Sequence, residues 1–230
     1  MTRLRAALFA LSLSAVPAAA QVVGSTPDKS PYRDLTWKQS VALFAGGFDT
    51  GRDEANVGPQ PGWLAGVRYD LRLGGPVSLV GRLSSGPTSR RVILPLKPPA
   101  SRFAGNQDSQ LLAADLGIAL NLTGQKSWHR VVPVLSGGVG MVSDFKGNPD
   151  AGGYRFGTQF MFTWGMGVRY QTNGRLEPRL DFTNYLWQLR YPAEFRQSPS
   201  DGSKPVVTGG KAPWMGNHLW SLGLAYQLFR

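Results

Sequence analysis

The sequence predicts an all-β fold, an eight-stranded antiparallel up-and-down transmembrane β-barrel, and three observations carry that prediction. The first is the stretch from Arg155 to Gln171. There Phe156, Thr158, Phe160, Phe162, Trp164, Met166, Val168 and Tyr170 alternate with Gly157, Gln159, Met161, Thr163, Gly165, Gly167, Arg169 and Gln171. Period-2 alternation places the two sets on opposite faces of a strand. Its length is about three times that of a common soluble strand and suits a tilted strand crossing hydrocarbon. The second observation is that seven further candidate strands follow at regular intervals, most of them alternating. The third is that the links between strands are alternately short and long, as turns on one side of a membrane and loops on the other would be.

The chain opens on a pattern that reads as a cleaved export signal over residues 1–20. Arg3 and Arg5 precede an apolar run from Ala6 to Val16, and Pro17-Ala18-Ala19-Ala20 ends it before Gln21. That run is too short to span a bilayer as a helix. Removing its two arginines lowers the formal charge from +11 to +9 (11 − 2). The sequence has no cysteine, which excludes a lipid attached at the cleavage point, disulfides and thiolate chemistry. Only two histidines, His129 and His218, are available as bases or imidazole ligands. Residues 21–36, with Pro27, Pro31 and mixed charge, read as a polar periplasmic lead-in, and residues 37–230 as the barrel domain. A mean hydropathy of -0.19 and 29 glycines fit strands that give only alternate positions to lipid.

The first strand, Ser40 to Phe48, has no clear facing. In the second, Trp63, Ala65, Val67, Tyr69 and Leu71 oppose Leu64, Gly66, Arg68, Asp70 and Arg72. The third covers Pro76 to Leu83, with Ser89 to Leu96 as a candidate extension. The fourth, Leu111 to Leu122, sets Leu112, Ala114, Leu116, Ile118 and Leu120 against Ala113, Asp115, Gly117 and Ala119. The fifth, Arg130 to Ser143, is ambiguous in facing because Val131 and Val132 are both apolar. The sixth is the stretch described above. The seventh, Leu176 to Tyr191, sets Leu176, Leu180 and Phe182 opposite Glu177, Arg179 and Asp181. A bulge near Thr183 and Asn184 is expected there, since it returns Tyr185, Trp187 and Leu189 to the outer face. The eighth, His218 to Phe229, puts Trp220, Leu222, Leu224, Tyr226 and Leu228 outside. The expected long loops are Asp49 to Gly62, Ser84 to Gln110, Asp144 to Tyr154 and Pro192 to Asn217.

With this pattern the chain resembles the small outer-membrane β-barrel superfamily, the OmpA, OmpX and OmpW-like group. The resemblance runs from Trp37 to Arg230 and includes the C-terminal strand HLWSLGLAYQLF, similar to the signal read by the barrel-assembly machinery. The family's last strand usually ends on an aromatic residue, whereas here Arg230 follows Phe229 and the apolar register ends at Leu228. The resemblance implies the bacterial outer membrane as location, and outer-membrane lipid and the assembly machinery as partners. The absence of a following domain implies no cell-wall anchor.

Candidate site residues fall into two groups. Arg68, Asp70, Arg72, Arg82, Asp115, Arg169, Glu177, Arg179 and Asp181 lie on the face assigned to the interior. An eight-stranded barrel is just wide enough for side chains to fill it, so these charges are expected to pair in a structural ion network. The competing reading is a polar conduit for ions. Arg90, Arg91, Lys97, Arg102, Lys204 and Lys211 lie in predicted external loops, where basic charge suits anionic lipid headgroups or polyanions. Asp49, Asp53 and Glu54 with Asp144 and Asp150 are scattered loop acids that could meet a divalent ion. Gly137, Gly138 and Gly140 read as close backbone packing rather than a nucleotide loop.

His218 and Ser221 are the nearest base and nucleophile in sequence, but an odd separation on one strand puts them on opposite faces. The sequence therefore predicts a monomeric, non-enzymatic barrel with a structural or surface-interaction role, and no catalytic, metal, cofactor or nucleic-acid site. A pI near 10.3 would suit nucleic acid, but export and inward-facing arginines explain much of the excess. A carrier of small hydrophobic molecules is the second reading and a lipid-modifying enzyme the third. A soluble lipocalin-like barrel would also alternate, but it predicts neither the loop asymmetry nor the C-terminal signal.

Overall fold

The computed structural model describes residues 30–210 and 212–229. The expected export signal, most of the lead-in, Lys211 and Arg230 lie outside them. Ten strands run in chain order as β1 (Tyr32–Asp34), β2 (Gln39–Thr50), β3 (Gly62–Gly74), β4 (Val77–Ile93), β5 (Phe103–Asn121), β6 (Lys126–Trp128), β7 (Val131–Ser143), β8 (Thr158–Tyr170), β9 (Leu176–Gln188) and β10 (Trp214–Phe229). Every pairing is antiparallel. The eight long strands follow one another around the wall, β10 pairs with β2, and the barrel is closed. Closure removes the free edges that such long alternating strands would otherwise expose.

The alternation dictates the two surfaces. Leu43 (66% exposed), Leu116 (64%) and Leu222 (70%) face outward with Phe160, Phe162, Trp164 and Met166, so an apolar belt surrounds the wall. Tyr69, Tyr170 and Tyr226 lie toward the short-turn end, and Trp63 and Trp214 toward the long-loop end. Gly75 and Pro76 alone separate β3 from β4, and residues 171–175 join β8 to β9. The opposite end carries residues 51–61, 94–102, 144–157 and 189–213. Within the wall, Gly117 of β5 faces Gly138 of β7. A Cβ on Gly138 would lie 2.5 Å from the Leu116 carbonyl oxygen, so the two backbones approach as only glycine permits.

Five features differ from the sequence reading or resolve it. The expected loop from Ser84 to Gln110 is mostly strand, because the β4–β5 pairing continues to Ile93 and Phe103, with one register shift between Val92 and Ile93, and leaves only residues 94–102 between them. The bulge expected at Thr183 and Asn184 is absent. β9 stays in unbroken register with β10 from Trp214↔Gln188 to Tyr226↔Leu176, so Tyr185 and Trp187 point inward and are buried. Apolar side chains at that level are stable inside because the lumen there is itself apolar. A register shift does occur between Gln227 and Phe229. It absorbs Leu228 and returns Phe229, 60% exposed, to the outer face, so the apolar register runs on to Phe229 and does not end at Leu228.

The fifth predicted strand resolves with Leu135, Val139 and Met141 outward and Val132 and Val134 buried. Part of the lead-in is structured as well. Tyr32–Asp34 pairs with β6, and Leu35 packs against Val80, Ala119, Val132 and Val134 at the short-turn mouth.

Candidate functional site

The interior is built in four levels, and alternation along the strands decides which of their side chains enter each. On β3 the i, i+2 spacing aims Arg68, Asp70 and Arg72 inward together; on β9 it does the same for Glu177, Arg179 and Asp181. Asp70 is the hub. It accepts from Arg179 Nη1 at 2.7 Å, Arg68 Nη2 at 3.0 Å and Arg169 Nη2 at 3.1 Å. Asp181 lies 3.4 Å from Arg179 and 3.6 Å from Arg68, and Glu177 lies 4.0 Å from Arg169. Arg72 donates to the Leu35 carbonyl at 2.6 Å, and its guanidinium stands 4.8 Å from the Trp37 ring. Trp37 closes the mouth beneath the charges, 5.5 Å from Arg169.

Above this hub sits a second pair. Arg82 meets Asp115 at 2.9 Å and donates to Thr183 Oγ1 at 2.8 Å and Thr163 Oγ1 at 3.2 Å, crossing to the far wall. All nine predicted interior residues thus face the lumen, in one connected group and one pair. Their charges nearly cancel, with five arginines against four carboxylates, as burial in a medium of low dielectric requires.

The next level was not legible in the strand pattern. Inward Phe48, Leu64, Leu111, Met161, Trp187 and Leu219 join Val57, Phe156, Leu189, Phe195 and Val207 from the loops in one buried apolar cluster. Trp187 is its centre, stacked 6.3 Å from Phe48 and edge-on at 6.1 Å to Phe156. The available signal was that the largest inward apolar side chains, among them Phe48, Leu64, Met161 and Trp187, gather toward the long-loop ends of their strands.

The outermost level corrects one predicted loop residue. Arg90, expected as an exposed external charge, is 1% exposed, on the part of β4 that was expected to be loop. Its guanidinium lies 3.6 Å from Asp144 and 3.7 Å from Asp150, over the ring of Tyr154 at 5.3 Å. Burial pushes the Tyr154 hydroxyl above the ordinary phenol range. Asp144 and Asp150 are spent on Arg90 and on loop N–H groups, whereas Asp53 accepts from Tyr191 and Val57, and Glu54 from Thr208 and Gly209. The loop acids are therefore dispersed among separate partners. Among the described residues no group of three potential metal ligands is gathered.

The same contacts interlock the loops into a cap. Glu54 ties residues 51–61 to 189–213. Arg102 donates to the Lys204 carbonyl at 2.5 Å, so it is half-committed to a clasp. Arg91 stacks on Phe103 at 4.7 Å, and Lys97 and Lys204 are exposed. His218 is on the outer face, stacked on Phe182 at 5.6 Å, and Ser221 is buried inside, so the two do not meet.

The sequence matches the family described as outer membrane protein beta-barrel domain over residues 6–227. The chain belongs to that family. Neisserial surface protein A is 12% identical across 83% of this chain and 97% of its own, with a TM-score of 0.51. The outer membrane protein AlkL is 13% identical over 90% and 97%, at a TM-score of 0.47, and the N-terminal barrel of Pseudomonas aeruginosa OprF is 14% identical over 83% and 99%, at 0.42. No curated protein matches the sequence. In an outer-membrane barrel such an apolar belt lies in lipid, with short turns toward the periplasm and long loops outside the cell.

Proposed function

We propose that this outer-membrane barrel is a non-enzymatic, non-conducting scaffold that displays an interlocked external cap for surface contacts. The observation that carries this reading is the filled lumen. The Asp70 hub, the Arg82–Asp115 pair and the Trp187 cluster occupy successive levels, and an eight-stranded wall leaves no width for a path around them. A packed apolar level also leaves no vacant lumen for a hydrophobic cargo. What varies freely on such a scaffold is the loop surface.

That surface is basic. Arg91, Lys97 and Lys204 remain at the exterior after Arg90 and Arg102 are engaged, and they suit anionic lipid headgroups or a polyanionic cell surface. The test is binding of purified lipopolysaccharide to the refolded protein and to an Arg91→Glu, Lys97→Glu, Lys204→Glu variant. The expected result is salt-sensitive binding that falls about a hundredfold in the variant, since three basic residues at ~1 kcal/mol each supply about 3 kcal/mol. Equal binding by both proteins contradicts the basic-face reading.

A further inference from the structure

The periplasmic mouth holds a polar cavity of about 130 Å³, between the β1–β6 ribbon, the 171–175 turn and the end of β10. Its lining includes Arg33, Arg130, Gln171, Asn173 and Gln227. Asp34 is the sole acid among the lining residues, and it stands 3.9 Å from Lys126. Neither Arg33 nor Arg130 has an ion-pair partner among the described residues. This separates them from the arginines of the hub, each of which faces a carboxylate or a carbonyl.

The chain spends conformational energy to hold Arg130 there. His129 and Arg130 both adopt left-handed backbone, at φ 48° and 69°, which costs of order 1–3 kcal/mol per non-glycine residue. Arg130 is then pinned by its carbonyl, which accepts from the Gln171 N–H at 2.7 Å. The floor is fixed too. Gln227 donates to Gln171 Oε1 at 3.0 Å, and Gln171 donates to the buried Glu177 carboxylate, so the amides are tied into the hub. A pre-set polar floor in a cavity lined by Arg33 and Arg130, neither of them ion-paired among the described residues, is suited to a planar or tetrahedral oxyanion, which the donor fork of arginine meets with two parallel bonds. The volume is that of about four waters, enough for one such group and too small for a bulky ligand.

We infer that this cavity is a periplasm-facing site for a single oxyanion, a carboxylate or a phosphate, held by Arg33 and Arg130 over the Gln171–Gln227 floor. The group could be carried by a soluble molecule or by an inner-leaflet phospholipid, and the chemistry is shared.

The test is nitrogen-15 NMR of the refolded protein in zwitterionic micelles. Inorganic phosphate, acetate and short-chain phosphatidylglycerol are each titrated at constant ionic strength, with chloride as balance. The inference expects saturable shifts of the Arg33 and Arg130 Nε–H groups and of the Gln171 and Gln227 amides, with Arg91 unmoved. Arg130→Gln should weaken binding at least fivefold, and Arg130→Lys, which keeps the charge but loses the fork, should weaken it less. Saturation by phosphate or acetate identifies a soluble source; saturation by phosphatidylglycerol alone identifies the lipid headgroup. Shifts that never saturate, or that are equal at Arg91 and Arg130, overturn the inference. The titration of the unaltered protein decides it even if the variants do not refold.

Discussion

Asp70 of β3 and Arg179 of β9 meet at 2.7 Å across the barrel, and neither is exposed to solvent beyond a few per cent. Two more arginines share the same carboxylate, so Asp70 neutralises more buried charge than any other residue of the lumen. Replacing it by alanine leaves three guanidinium groups short of a partner. Asp70→Ala is expected to lower the urea midpoint more than any other single truncation within the ion network, by an amount equivalent to about 3–5 kcal/mol. Arg169→Ala should follow it. Arg91→Ala, which removes a half-exposed cation from above the Phe103 ring, should cost about 1 kcal/mol or less. Equal midpoints for Arg169→Ala and Arg91→Ala would contradict the network.

The apolar level makes a separate prediction. Trp187 is 1% exposed between Phe48 and Phe156, so Trp187→Ala should cost about 3–5 kcal/mol, with most of the loss in the cap. Hydrogen exchange should then accelerate in residues 144–157 and 189–213 before it does so in the lower strands. Unchanged protection in those loops would show that the cap does not rest on this cluster.

The outer face was legible from sequence because lipid imposes one demand on every outward position, and period 2 reports it directly. The hub was legible for the same reason: an inward charge in a narrow barrel must find a partner. Tyr185 and Trp187 were misread because an inward aromatic violates the polar-inside pattern. The cluster that accepts them depends on Phe195 and Val207, which lie in a loop without periodicity. Arg90 was misread because the pattern fades where β4 and β5 leave the membrane, while their pairing continues to Ile93 and Phe103.

The lipid face yields a third prediction. Leu222 is 70% exposed in the middle of β10. Leu222→Arg should impair insertion by about 2–4 kcal/mol, and Leu222→Phe should leave it nearly unchanged, as read by refolding yield into liposomes. Normal insertion of the arginine variant would show that β10 is turned the other way.

The cap should also respond to acid. Burial raises the Asp53 carboxyl above its ordinary value of 3.8, against the opposing hydrogen bonds from Val57 and Tyr191. A carboxyl whose folded pKa is raised binds its proton more tightly when the loop is docked. Its stabilising contribution is therefore complete below the unfolded pKa and is lost as pH rises through the folded value. Amide exchange, corrected for its intrinsic pH dependence, should show residues 51–61 better protected at pH 4 than at pH 7. Asp53→Asn should remove the difference.

The central claim, that the lumen is closed, is tested most directly by ion conductance of the refolded protein in planar lipid bilayers. With Trp37, the Asp70 hub and the Trp187 cluster in series, the protein should insert without any steady ohmic current, in 1 M KCl and at either polarity. A reproducible open-channel conductance from the properly folded barrel would contradict the account.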